Sequence, residues 1–93
     1  MNYNATIEKM EKVFINLGFK PVIINNNKLM KYNEFYCKIS FFEDWETFII
    51  ESAENLQEAE NGVFEDSDLY DANIPESELL KQLKSDLIDY YLN

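Results

Sequence analysis

The chain has 93 residues, 46% hydrophobic and 15% aromatic, with a formal charge of −10. That length predicts one domain, 1–93, too short for a two-lobed enzyme with a deep cleft. Its apolar content argues against a disordered acidic tail, and its charge disfavours nucleic acid and anionic membrane surfaces while favouring a basic protein partner.

In chain order, Ile7, Met10, Phe14 and Leu17 recur at three- and four-residue spacing. This predicts an amphipathic helix, capped by Asn4 or Thr6 and ended by Gly18 and Pro21. Residues 21–24 form a short strand candidate. Asn25, Asn26 and Asn27 supply turn chemistry, because Asn tolerates the left-handed region. Residues 28–32 return as a weak second strand, and Asn33 and Glu34 make another turn. Residues 35–42 alternate, with Phe35, Cys37, Ile39 and Phe41 on one face and Tyr36, Lys38, Ser40 and Phe42 on the other. Period two with β-forming residues predicts a strand.

Glu43 and Asp44 fit a tight turn leading into a strand over 45–51. That strand carries apolar groups on both faces and is expected inside the sheet. Residues 52–61 are expected as a short helix capped by Ser52 and ending at Gly62. Residues 63–72 read as a loop or a short extra strand. Asn73 followed three later by Glu76 has capping-box spacing ahead of a final helix, with Pro75 in its first turn and a broad Leu face. The sum is an α+β domain, an antiparallel sheet of three or four strands packed against N- and C-terminal helices.

The charge is unevenly placed. Residues 39–80 hold thirteen carboxylates and no Lys, Arg or His, and they account for the whole imbalance. Mixed-sign surfaces are the usual arrangement, because crowded like charges cost stability. A one-sign field on a compact fold is what a decoy for a cationic groove requires. Carboxylates on a rigid surface can take the Lys and Arg sites that normally hold phosphates. The charged contacts are therefore placed at Glu43, Asp44 and Glu46 and on the segment Glu65, Asp66, Asp68 and Asp71. Trp45 and Tyr70 are the expected anchors, since large aromatic groups carry more binding energy than rim charges. Tyr36 and Phe42 are further aromatic candidates.

Catalytic chemistry has little to stand on. The chain has no His and no Arg, so it cannot build a His-dependent nucleophile, a zinc-histidine site or a bidentate Arg clamp. Two glycines do not make a phosphate loop. If Asp66 begins a calcium loop, position six is Asp71 in place of Gly and position twelve is Ser77 in place of Glu, so the EF-hand pattern fails. The lone Cys37 has no disulfide partner and reads as a small buried core residue. No catalytic residue, cofactor or metal ligand is expected. A single Cys, the lack of any apolar run near 20 residues, and an N-terminus (Met1, Asn2, Tyr3, Asn4) without signal-peptide character lead to the expectation of a cytoplasmic protein.

Two stretches carry a resemblance. Residues 51–59 run through Asn61 and Gly62 into Phe64, Glu65, Asp66, Ser67, Asp68, Leu69 and Tyr70, and are followed by the Leu-rich residues 79–91. This half of the chain resembles the small α+β immunity proteins of bacterial polymorphic-toxin systems, although Ser67 stands where that pattern has Gly. The resemblance implies a non-enzymatic stoichiometric inhibitor, an antitoxin-type protein whose acidic surface blocks a basic nucleic-acid-handling protein such as a nuclease toxin. In size and charge the chain is also similar to phage proteins of the anti-CRISPR or DNA-mimic type. An acidic structural domain without inhibitory role is the alternative from another class.

Overall fold

Helix α1 (Asn4–Asn16) forms where the apolar spacing places it. The structure, a computed structural model, describes residues 3–93; Met1 and Asn2, part of the segment read as lacking a signal peptide, lie outside the described residues. Tyr3 occupies the cap position of α1, with no side-chain cap from Thr6. The helix ends in a Schellman motif. Gly18 adopts φ 105°, its N–H donates to the Ile15 carbonyl at 3.0 Å, and the Phe19 N–H donates to the Phe14 carbonyl at 3.0 Å. Phe19 then packs edge-on against Phe14, centroids 4.9 Å apart, which is the apolar contact this motif favours.

Five strands follow as an antiparallel meander in sequence order: β1 (Lys20–Ile24), β2 (Asn27–Tyr32), β3 (Phe35–Phe42), β4 (Thr47–Ala53) and β5 (Glu65–Asp71). The β1–β2 hairpin turns on Asn25 and Asn26, with φ 52° and 66°, the double positive φ of a tight primed turn. Strand β3 covers 35–42 as the alternation predicts. A short 3₁₀ turn (Glu43–Trp45) separates it from β4.

Three expectations are corrected. The sheet has five strands where three or four were expected, because residues 65–71 form the extra strand of the two alternatives and pair along β4. Ser52 lies in β4, and the following helix α2 is confined to Leu56–Asn61. Its cap is Asn55, whose side chain accepts from the Glu58 N–H at 2.8 Å, while Glu58 Oε1 accepts from the Glu54 N–H at 2.9 Å. That near-reciprocal pair is capping-box chemistry. The box expected at Asn73 does not form: α3 (Glu76–Leu87) starts behind Pro75 without a side-chain cap.

The β3–β4 register, Tyr36↔Ala53 to Phe42↔Thr47, sorts the side chains between two faces. On one face Cys37, Phe48 and Ile50 meet Met10 and Phe14 of α1 and Leu79, Leu83 and Leu87 of α3, all buried in one cluster. The leucines recur every fourth residue, so a single stripe of α3 is apolar. On the other face α2 covers only one end, where Ala59 packs with Leu29, Tyr36 and Ala53, flanked by Phe64. A π-helical turn (Ile88–Leu92) extends α3 and sets Tyr91 edge-on to Phe19 and Phe35. The Cα radius of gyration is 12.5 Å, against about 12 Å for a compact chain of this length.

Leu83 is fully buried between the helices and the sheet. Leu83→Ala should therefore cost about 2–5 kcal/mol, read by urea denaturation as a lower midpoint at unchanged slope. A cost below about 0.5 kcal/mol would contradict this packing.

Candidate functional site

The two regions singled out by charge, 43–46 and 65–71, are brought together by the β4–β5 ladder. Thr47 pairs with Asp71, Phe48 with Tyr70 and Ile49 with Leu69. The Ala72 N–H donates to the Glu46 carbonyl at 2.8 Å, closing the corner.

The 43–46 turn is rigidly built. The Glu46 N–H donates to the Glu43 carbonyl at 3.1 Å, and Thr47 Oγ1 donates to the Trp45 carbonyl at 2.8 Å. Glu46 sits in the left-handed region at φ 46°, a conformation that costs a non-glycine residue about 1–2 kcal/mol. Its carboxylate accepts from Asn73 Nδ2 at 3.1 Å, so this acid is already engaged within the fold. Glu43 and Asp44 are exposed, and Trp45 is 70% exposed with its ring 4.8 Å from Phe42.

Strand geometry divides the acids of β5. Asp71 and Leu69 lie on the face away from α1 and α3, opposite Thr47 and Ile49. Asp68 and Tyr70 turn to the helix side, opposite Ile50 and Phe48. The register then slips, from Ile50↔Asp68 to Glu51↔Asp66, leaving Ser67 as a bulge. Asp66 thereby returns to the uncovered face beside Glu51, and Glu65, exposed, falls on the helix side opposite Ser52. Alternation also defeats a calcium-loop arrangement. Among the described residues no group of three or more His, Cys, Asp or Glu could hold a metal ion.

Tyr70 is not a surface anchor. It is 4% exposed, and its hydroxyl donates to Asp86 Oδ2 at 2.6 Å. Burial, reinforced by that bond to the Asp86 carboxylate, pushes its phenol well above the ordinary tyrosine range. Tyr36 is likewise buried, at the end covered by α2. The exposed apolar centre consists instead of Phe42, Trp45 and Leu69, with half-buried Ile49 between them. Ile49 and Leu69 escaped the sequence reading, because Leu69 is recognisable as a face residue only once 65–71 is known to be a strand.

On the helix side a small polar cluster threads the core edge. Cys37 Sγ donates to Tyr91 Oη at 3.3 Å, and Ser52 and Ser67 share a hydrogen bond of 2.8 Å. Burial pushes the Cys37 thiol up to about 11, so it stays protonated and unreactive at neutral pH. Asp68, Asp86 and Asp89 line an open depression with Tyr90. A second cleft, of about 290 Å³, has Glu54, Glu58 and Glu65 among its lining residues. Neither presents a nucleophile paired with a base.

No family model, curated protein or solved structure matches this chain. The site is therefore argued from its own geometry. Of the thirteen acids in 39–80, only Glu76 makes an ion pair among the described residues, with Lys9 at 3.0 Å. Glu51 accepts from Ser40 at 2.9 Å and faces Lys38 across the β3–β4 pair without forming an ion pair with it. The uncovered face thus combines an apolar centre with carboxylates at Asp66 and Asp71, and the turn at its end adds the exposed Glu43 and Asp44.

Burial raises the Asp68 carboxyl, and the Asp86 charge raises it further. The fold therefore disfavours ionised Asp68. That penalty is absent below the ordinary aspartate range and grows as pH rises through the raised value. Asp68→Asn should raise the melting temperature at pH 7, with the gain fading below about pH 4. Thermal melts across a pH series check this; a loss at neutral pH, or an equal gain in acid, contradicts it.

Proposed function

We propose that this protein is a non-enzymatic stoichiometric inhibitor of the immunity or antitoxin type, acting in the cytoplasm on a basic nucleic-acid-handling protein such as a nuclease toxin. The observation that carries this reading is the set of carboxylates Glu43, Asp44, Asp66 and Asp71 about one sheet corner, none of which makes an ion pair among the described residues. Such a surface repels phosphates and anionic lipid and attracts the cationic groove of a nuclease. A purely solubilising surface gains from net charge but does not require it concentrated on one segment, where neighbouring like charges weaken the fold. The turn at Glu46 and the bulge at Ser67 hold these acids at fixed spacing, as a surface standing in for a phosphate backbone requires. A defence nuclease of the CRISPR type presents the same cationic groove, and the identity of the captured target separates the two versions.

The test is capture from the native host, identification of the basic protein retained, and titration of its nuclease activity. Inhibition should saturate at one equivalent. The association rate should fall about tenfold or more between about 0.01 and 1 M salt, as the Debye length drops from about 30 to 3 Å. Reversing Glu43, Asp44, Asp66 and Asp71 to Lys should weaken inhibition about tenfold or more, through slower association. Full inhibition by that variant, or an association rate indifferent to salt, removes the acidic surface from the mechanism.

A further inference from the structure

The uncovered sheet corner carries more than charge. Helix α2 shields one end of this face through Ala59, with Phe64 beyond the helix packed beside it, and ends at Asn61. The far ends of β3, β4 and β5 are left without a covering element. There Trp45 is 70%, Leu69 60% and Phe42 42% exposed. These side chains are contiguous: Trp45 rests on Phe42, Leu69 sits directly across from Ile49, and Ile49 is the diagonal neighbour of Phe42 across the β3–β4 pair. A small domain rarely leaves an aromatic, a tryptophan and two aliphatic side chains side by side in water unless they meet something.

We propose that this corner, centred on Phe42, Trp45, Ile49 and Leu69, is a docking surface for a protein segment that presents an apolar anchor flanked by Lys and Arg. Charge complementarity selects this occupant. The rim carboxylates of Glu43, Asp44, Asp66 and Asp71 have no ion-pair partner among the described residues. A second copy laid on the same corner would set these acids against their own kind, and phosphate-bearing surfaces are repelled in the same way. The inference rests on the inhibitor reading for the basic character of the partner. It adds the surface and a division of labour. The acids govern the rate of encounter, and the apolar centre governs how long the complex lasts.

The probes are two synthetic peptides of equal positive charge, one of Lys and Arg in a Gly–Ser background, the other with Trp and Leu between the same basic residues. Both are titrated into the full, isotope-labelled chain. The apolar-containing peptide should bind about tenfold tighter or more, with its amide shifts centred on Phe42, Trp45, Ile49 and Leu69. Trp45→Ala and Leu69→Ser should each weaken it about tenfold through faster dissociation. Reversing the four rim acids should instead slow association. Ile15→Ser, at an exposed position on α1, should change nothing. Equal binding of the two peptides, shifts centred on α1 and α3, or no effect of Leu69→Ser overturns the proposal. So does a dimer in sedimentation at high salt that Leu69→Ser abolishes, which would assign the corner to a second copy. If a nuclease is captured and Leu69→Ser still inhibits it fully, the assigned surface is wrong while the inhibitor reading stands. If the peptide maps to this corner but no nuclease is inhibited, the surface stands and the inhibitor reading fails.

Discussion

The register between β3 and β4 decides which side chains meet the helices and which meet water. Seven residue pairs, from Tyr36↔Ala53 to Phe42↔Thr47, place Cys37, Phe48 and Ile50 under α1 and α3 and send Phe42 and Ile49 the other way. A slip of β4 by one residue would turn its side chains over, burying Glu51 under the helices and exposing Phe48 and Ile50. The apolar stripes of α1 and α3 then have only one face on which to dock. The two-sided character of β4 is thus a single constraint with two outputs, a well-filled core and an apolar outer corner.

Charge is the counterweight. Several carboxylates in the acidic region are tied into local backbone or side-chain bonds: Glu58 into the α2 cap, Glu46 to Asn73, Glu51 to Ser40. Asp86 takes the Tyr70 hydroxyl and thereby anchors β5 to α3. These bonds hold acids in place without neutralising them, so the negative field outlasts folding. Among the described residues no buried side-chain polar atom lacks a partner. The residual penalty is therefore electrostatic repulsion near the surface, which solvent softens.

Much of this was legible from the residues. Period-two alternation located β3 at its observed bounds, and the Leu spacing located α3. Paired Asn residues located the first hairpin, because the left-handed region suits Asn. The misreadings share a cause. Strand β5 is written in acids around Leu69 and Tyr70, with a bulge at Ser67 that breaks its alternation. A polar edge strand takes its stability from the neighbouring ladder and not from its own side chains. Its local composition therefore leaves loop and strand both open, and without a strand's assignment of faces Tyr70 looks like an exposed anchor. The capping signal at Asn73 was outcompeted: its side chain serves Glu46 and its N–H serves Asp71, while the equivalent signal at Asn55 forms. Trp45, expected to open a strand over 45–51, sits instead on the 3₁₀ turn, and β4 runs from Thr47 to Ala53.

The bulge at Ser67 also limits how this molecule can polymerise. Strand β5 is the free edge of the meander nearest the acidic corner, and a free edge is an open template for another strand. Here the ladder is kinked at its middle, and Glu65, Asp66, Asp68 and Asp71 stand along it. A foreign strand laid alongside would have to follow the kink and bring its own amides past a row of carboxylates. At the opposite edge, Pro21 lacks a donor and Lys20 is exposed. Both margins of the sheet are thus poor nuclei for fibrils. Edge-to-edge strand addition is opposed at both margins, and broadside contact with the open face is the physically easy way for another protein to engage the chain.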